Sequence, residues 1–82
     1  MLEELRSSEN VVGAKQSRRA IRDGLAQRVF LAVDADPALT EPLSAQCEAA
    51  GIPTSSEFTM KELGQAAGIH VGAAVITVLK EK

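Results

Sequence analysis

Two short apolar segments constrain the fold of this chain more than any other feature. Residues 29–33 (VFLAV) and 73–79 (AAVITVL) contain a single polar side chain, and both are rich in β-branched residues. Such segments predict buried strands, and the second, apolar on both faces, is typical of a central strand. Because helical patterns separate the strands, the sequence predicts an α/β domain with helices on both faces of the sheet.

Glycines and a capping motif place the predicted helices. Gly24, Gly51 and Gly68 each follow a helical pattern and are expected to end it. Thr59 and Glu62 have the spacing of a capping box, which predicts a helix start. The predicted helices are residues 2–7, 14–23, 40–50 and 59–67.

Prolines and short apolar stretches indicate where one helix begins and where the remaining strands and turn lie. Pro42 is tolerated in a helix when it lies in the first turn, so we expect residues 40–50 to begin just before it. Pro53 indicates that the strand at residues 52–56 lies at an edge or only begins there. The remaining predicted segments are an edge strand at residues 11–12, ending at Gly13, and a turn at residues 34–37.

Length and composition exclude several classes of protein. The chain has 82 residues, which predicts one domain. Its longest apolar run, residues 71–79, is far shorter than the roughly 20 residues that span a bilayer. The acidic first residues are unlike a signal peptide, and the single cysteine, Cys47, allows neither an internal disulfide nor a cysteine metal site. We therefore expect a cytoplasmic protein.

Positive charge is concentrated in one segment of an otherwise acidic chain. The net charge is −2, yet residues 15–28 carry a net +4, which leaves −6 for the rest. Lys15, Arg18, Arg19 and Arg22 follow the spacing i, i+3, i+4 and i+7, so they share one face of the predicted helix. A different face, which can pack on the sheet, is marked by Ala14, Ser17 and Ile21.

This basic face is unfavourable for the helix alone. The cations repel one another, and those near the helix start oppose its dipole at a cost of up to about 1 kcal/mol each. A bound anion would remove the conflict, because the helix start offers free N–H groups and Gly13 permits close approach. A phosphate backbone is the obvious candidate, and Gln16 could hydrogen-bond a base edge. From charge alone, the alternative remains that this face is a solvated basic surface that binds no ligand.

Other polar residues indicate weaker sites. Asp36 could simply cap the turn before Pro37. Asp34 and Asp36 lack an evident third ligand, so a metal site is not expected. His70 has no nucleophile or acid partner and is predicted to be an exposed loop residue. Segment 13–17 lacks the paired glycines of a P-loop.

The remaining single residues have structural interpretations. Cys47 is predicted to be a small buried hydrophobe, and Gly64 to allow close packing of a helix on the sheet. Phe30 and Phe58 are the only aromatic residues. For a nucleic-acid ligand, this argues against binding of bases by stacking on an aromatic sheet surface and favours recognition by shape, phosphates and a few base edges.

Three segments of the chain resemble the kink-turn-binding ribosomal-protein family of the L-seven-Ae type. They are VGAKQSRRAI at 12–21, AVDADP at 32–37 and KELGQAAGIHVGAA at 61–74. They agree with the family in order and spacing, and the resemblance extends from about residue 11 to residue 79. The chain is similar to the short bacterial members. The resemblance implies a three-layer α/β/α sandwich with a small mixed sheet.

The resemblance also implies a binding site. Members of the family grip a sharply bent RNA at tandem sheared G·A pairs, through an Asn, a Glu and a Lys that follow a Gly-Ala step. Lys15, Gln16 and Arg19 match these positions but differ in type: Lys15 adds a charge, Gln16 loses one, and Arg19 keeps the cation. The loop before the last strand packs on an extruded nucleotide, which an acid before the turn proline also contacts in some members. The predicted RNA-binding residues are Gly13, Ala14, Lys15, Gln16, Arg18, Arg19, Arg22, Asp36, Ile69, His70, Val71 and Gly72.

The function that these observations favour is binding of structured RNA that contains a kink-turn, either ribosomal RNA or a regulatory RNA, in the cytoplasm and in association with the ribosome if the RNA is ribosomal. No cofactor, metal, membrane or small-molecule substrate is expected, and no nucleophile–base pair indicates an enzyme. The alternative is a protein-interaction or regulatory module on the same fold, which would use the acidic remainder of the surface.

Overall fold

The sheet predicted from the apolar segments is present, and the last strand is central. The computed structural model describes Leu5 and residues 9–80. Its sheet has the order β1-β4-β2-β3 and consists of β1 (Asn10–Val12), β2 (Ala26–Leu31), β3 (Thr54–Ser55) and β4 (Val75–Leu79). Strand β4 is antiparallel to β1 and β2, whereas β2 and β3 are parallel, so the sheet is mixed. The central last strand and the edge strands near Val11 and Pro53 are confirmed.

Helices cover both faces of this sheet. Those among the described residues are α1 (Ala14–Arg22), α2 (Pro37–Ala50) and α3 (Met60–Ala66). Ile21 of α1 and Leu43 of α2 pack with Val75 on one face. Leu63 of α3 packs with Ile76 on the other, because successive residues of a strand point to opposite sides. The predicted three-layer α/β/α sandwich is confirmed. The helix predicted at residues 2–7 lies, apart from Leu5, outside the described residues.

Cys47 lies in the core between α2 and the sheet. Its side chain is fully buried, as predicted. Burial raises the pKa of the thiol, because the thiolate would lose its hydration there. Cys47 therefore acts as a small apolar group of the core.

Strand β2 begins earlier than predicted and also ends earlier. Its partner β4 continues to Leu79, which pairs with Ala26 across an irregularity in register between Ala26 and Arg28. A prediction based on apolar runs did not include the start of β2, because the residues there are partly polar. Val33, at the end of the predicted strand, lies beyond the ladder with β4 and is 55% exposed. Backbone pairing, not side-chain polarity, therefore decides the limits of β2.

Helix α2 begins three residues earlier than predicted, so the interpretation of Pro42 was wrong. Asp36 is the N-cap, and its carboxylate accepts a hydrogen bond from the Ala38 N–H at 2.9 Å. Pro37 opens the helix, which places Pro42 inside it rather than in its first turn. Pro42 cannot donate to the Ala38 carbonyl, but both residues are exposed, so water can reach that oxygen. Gly51 ends the helix as predicted, at φ 70°.

Helix α3 starts with the predicted capping box. The Thr59 hydroxyl accepts from the Glu62 N–H at 3.2 Å, and the Glu62 carboxylate accepts from the Thr59 N–H at 3.0 Å. Strand β4 starts two residues later than predicted, because the Ala73 N–H donates to the Met60 carbonyl of α3 rather than to the sheet. Strand β3 likewise covers only Thr54–Ser55 of the predicted segment.

Candidate nucleic-acid interface

Helix α1 starts at a glycine and has no side-chain cap. Gly13 has φ 105°, a backbone conformation that favours glycine, and the structure gives this helix start no side-chain hydrogen bond from the described residues. The Gly13 N–H donates to the Val75 carbonyl at 2.9 Å, which ties the start of α1 to the start of β4. The first N–H groups of a helix have no acceptor within it. The start of α1 therefore offers uncapped donors at one end of the sheet.

The buried face of α1 decides where its cations point. Ser17, Ala20 and Ile21 are buried against the sheet and α2. The predicted packing face is confirmed at Ser17 and Ile21, and its third member, Ala14, is half-buried against the same core. This packing leaves the basic side chains and Gln16 exposed.

The four predicted cations of α1 line one groove together with a residue of α2. The groove measures about 350 Å³ and is lined by Lys15, Arg18, Arg19, Arg22 and Gln46; we call it the cationic groove. The Gln46 side-chain amide donates to the Arg18 carbonyl at 3.3 Å and so joins the two helices. Sequence reasoning missed Gln46, because the contact joins residues 28 positions apart and no local pattern signals it.

The cations of the groove differ in their partners. Arg22 forms an exposed ion pair with Asp23, with 3.1 Å between Arg22 Nε and the carboxylate. Within the described part of the chain, the structure assigns no such carboxylate to Lys15, Arg18 or Arg19. These three therefore remain available to an external anion.

Gln16 is exposed but lies outside the cationic groove. It precedes Arg18 by two positions, so the two side chains leave α1 in nearly opposite directions, roughly 160° apart. Helix α1 consequently presents two flanks. Arg18 faces α2, Gln16 points away from α2, and Lys15 and Arg19 lie between them.

The loop before β4, residues 69–72, is exposed at its tip and anchored at both ends. His70, Val71 and Gly72 are exposed, whereas Ile69 is half-buried against the α3 side of the core. The Ile69 N–H donates to the Gly64 carbonyl at 3.0 Å. His70 is thus the exposed loop residue that was predicted.

A second pocket lies between this loop and α3. It measures about 320 Å³ and is lined by Asp34, Met60, Lys61, Gln65, Ile69, His70, Val71 and Gly72; we call it the loop pocket. The polar residues Lys61 and Gln65 are new members of the candidate site. Their i, i+4 spacing on an exposed helix face was a signal in the sequence, but only the return of the loop over α3 gives it meaning.

Gly64 packs against the 69–72 loop and not, as predicted, against the sheet. A Cβ at this position would collide with the carbonyl oxygen of Val71. The prediction of close packing was therefore right about the need for glycine and wrong about its neighbour.

The two aspartates of the turn after β2 have structural roles. Asp36 caps α2, and Asp34 accepts a hydrogen bond from the Met60 N–H at 2.8 Å, which holds the start of α3. Among the residues that the structure describes, no three His, Cys, Asp or Glu side chains gather in a way that could hold a metal ion.

The fold brings most of the predicted site residues to one end of the sheet. Gly13 is hydrogen-bonded to Val75, which follows the 69–72 loop closely. The end of β2 joins them, because the Ala32 N–H donates to the Ala74 carbonyl at 2.9 Å, and Asp36 follows. Arg22 is the exception, since it lies about 12 Å along α1 from its first residue.

Comparisons with known proteins identify the family of the chain. The sequence model of the ribosomal protein L7Ae/L30e/S12e/Gadd45 family matches residues 2–82. An RNA-binding protein of Geobacillus sp. (strain WCH70) is 37% identical over 76 residues, 93% of each chain. RNA-binding protein YbxF of Geobacillus stearothermophilus is 38% identical over the same shares. These relatives are bacterial proteins of nearly the same length, and their names describe RNA binding rather than an enzymatic activity.

A solved structure shows the same fold. The Giardia lamblia 15.5kD RNA binding protein superposes with a TM-score of 0.88 at 25% identity, over 99% of this chain and 72% of that one. In the described part of this chain, no helix has the length and apolar character needed to cross a bilayer. By sequence and by fold, the chain belongs to the ribosomal protein L7Ae/L30e/S12e/Gadd45 family.

Proposed function

We propose that residues 1–82 form one domain that binds structured RNA containing a kink-turn, either ribosomal RNA or a regulatory RNA in the cytoplasm. The RNA would contact the basic N-terminal part of α1 and the 69–72 loop. The observation that carries the proposal is the Gly13–Val75 hydrogen bond, because it places the uncapped start of α1 beside the strand that follows the loop. RNA binding is also what the names of the relatives describe.

The start of α1 suits a sharply bent phosphate backbone. Lys15 and Arg19 lie on its exposed face, and helix N–H groups attract anions. Arg18 and Arg22 extend the positive surface along the cationic groove. Gln16, on the flank away from α2, can hydrogen-bond the edge of a sheared guanine.

The 69–72 loop suits a nucleotide that has left the helical stack. Ile69 and Val71 offer apolar surface, and the loop pocket adds the polar side chains of Lys61 and Gln65. Asp36 lies at the same end, although its carboxylate already caps α2. We therefore assign Asp36 a structural role first, with contact to the nucleotide as a second one.

Lys15 and Gln16 give the proposed site a distinctive balance of charge. A neutral amide forms weaker hydrogen bonds than a carboxylate, because charge-assisted bonds are about twice as strong. A cation at position 15 adds attraction to phosphate that depends on salt. We expect this chain to rely more on phosphate contacts and less on guanine contacts than a site with Asn and Glu at these positions.

The deciding experiment is a titration with two RNA duplexes at moderate salt. One contains a standard kink-turn, and the other has its sheared G·A pairs replaced by Watson–Crick pairs. Tight binding to the first and weak binding to the second would support the proposal.

Equal or absent binding would contradict it. A protein-interaction module on the same fold would then become the better hypothesis, tested by a partner that remains bound after nuclease treatment. Turnover by the pure protein that a His70 substitution removes would instead point to an enzyme.

A further inference from the structure

Gly64 is the residue that lets the 69–72 loop lie directly on α3. It is buried in the middle of that helix. Besides its collision with the Val71 carbonyl oxygen, an added Cβ would lie 3.1 Å from the Val71 carbonyl carbon and 3.2 Å from the Gly72 Cα. These are backbone atoms, which cannot rotate away as the end of a side chain can. Any side chain at position 64 must therefore lift the loop from the helix.

Hydrogen bonds to α3 hold both ends of the same loop. The Ile69 N–H donates to the Gly64 carbonyl, and the Ala73 N–H donates to the Met60 carbonyl, each at 3.0 Å. Helix α3 is anchored in turn, because the Met60 N–H donates to the Asp34 carboxylate at 2.8 Å. The position of the loop is thus set by backbone hydrogen bonds at its two ends and by the close approach of Val71 and Gly72 to Gly64.

The contact with Gly64 also decides where the apolar side chain at the tip points. The Val71 carbonyl faces α3, while Val71 as a residue is 70% exposed. A displacement of this peptide would move or turn the Val71 side chain. Ile69, by contrast, is held by its packing on the core. Val71 is consequently the apolar group whose direction depends on Gly64.

We propose that Gly64 is a positioning residue for RNA selectivity: by seating the Val71–Gly72 backbone on α3, it aims Val71 at the extruded nucleotide. Gly64 contacts no RNA itself and acts through the loop. This inference rests on the proposed function, because it concerns the loop surface of the same RNA site.

The test combines protein variants with a change in the RNA. Wild type and Gly64→Ala are titrated with a kink-turn RNA whose extruded nucleotide is either intact or abasic. Gly51→Ala is the control variant, because an added Cβ at Gly51 meets nothing within 4 Å, so the substitution leaves the loop alone; its cost comes from the positive φ of Gly51 at the end of α2. Its loss of stability would not involve the loop.

The expected result is a loss of selectivity in one variant only. Wild type and Gly51→Ala should bind the intact RNA about tenfold more tightly than the abasic RNA, the size expected when a base covers most of a valine side chain. Gly64→Ala should bind both RNAs with the weaker affinity. An unchanged tenfold ratio in Gly64→Ala would overturn the inference.

A second measurement does not need RNA. In Gly64→Ala the amide hydrogens of Ile69 and Ala73 should exchange faster with solvent, while that of Gly13, bonded to Val75, should not. Unchanged exchange at Ile69 and Ala73 would show that the loop has not moved and would also overturn the inference. If Gly64→Ala does not fold, Gly72→Ala replaces it. An added Cβ at Gly72 would lie 3.1 Å from the Met60 Cβ and would therefore push the same loop away from α3.

The outcomes separate this inference from the proposed function. Wild type that does not distinguish sheared G·A from Watson–Crick pairs would contradict both. Wild type that distinguishes them, yet binds the intact and abasic RNAs equally, would contradict only the role of Gly64.

Discussion

The starts of α1 and α3 present the same backbone groups in opposite states. At α1 the N-cap is Gly13, which has no side chain to satisfy the first N–H groups, and three exposed cations follow within two turns. At α3 the capping box of Thr59 and Glu62 and the Asp34 carboxylate occupy the equivalent donors. A helix start whose N–H groups are free, which we call open, can bind an external anion. A helix start whose N–H groups are already hydrogen-bonded within the protein, which we call closed, stabilises the fold instead.

This difference indicates that α1 and α3 have separate roles in the proposed site. Helix α1 would attract RNA through exposed charges, whose effect salt weakens. Helix α3 carries a loop placed by backbone contacts, whose shape does not depend on salt. Affinity should therefore depend mainly on α1, and selectivity for the extruded nucleotide on α3 and its loop.

The largest expected effect tests the open helix start. Gln16→Ala combined with Arg19→Gln should weaken kink-turn binding at least about 100-fold, because a base-edge contact alone is worth roughly 1–3 kcal/mol. Both side chains are exposed, so circular dichroism should show an unchanged fold. Lys80→Gln, which removes an exposed cation at the far end of β4, is the matched control. Wild-type affinity in the double variant would remove α1 from the site.

A smaller effect tests whether the charge of α1 and the shape of the loop are separable. Lys15→Gln should lower affinity about tenfold at low salt and reduce the slope of log affinity against log salt by about 0.9, the value for one phosphate contact. Val71→Ala should leave that slope unchanged. Titrations at four salt concentrations measure both slopes, and equal slopes in Lys15→Gln and wild type would contradict the phosphate role.

The closed helix start should matter for stability instead. Thr59→Ala removes the side-chain acceptor of the capping box and should lower the free energy of unfolding by about 1 kcal/mol. Urea denaturation measures this value. Ser44→Ala, on the exposed surface of α2, is the control and should not destabilise the protein. A Thr59→Ala variant as stable as wild type would show that other contacts, such as that of Asp34 with Met60, close this helix start alone.

The smallest effect concerns the tip of the loop. Val71→Ala should weaken binding of the intact kink-turn about fourfold, because one of the two methyl groups that it removes would be buried against the nucleotide and contribute about 0.8 kcal/mol. Val71 is 70% exposed, so the fold should not change. Binding of the abasic RNA should be unaffected. An equal loss on both RNAs would mean that Val71 contacts another part of the RNA.

Much of the fold could be predicted because its signals are local. The capping box of Thr59 and Glu62 and the glycine at position 51 each act within one helix turn, and both are found where the sequence placed them. The spacing of the cations likewise predicted an exposed face of α1. The limits of β2 and α2 were less predictable. The ladder with β4 decides the first, and capping by Asp36 ahead of a proline decides the second.

The α/β alternation, the buried central strand and the basic face of one helix could be predicted from local sequence, since they follow from periodicity and turn chemistry within a few residues. Three contacts became visible in the folded chain alone: Gln46 joins Arg18, Lys61 and Gln65 line a pocket, and Gly64 lets the loop before β4 lie on α3. Each of these contacts depends on how separate elements approach in space. Their distances are set by packing on the shared sheet, which no local pattern encodes.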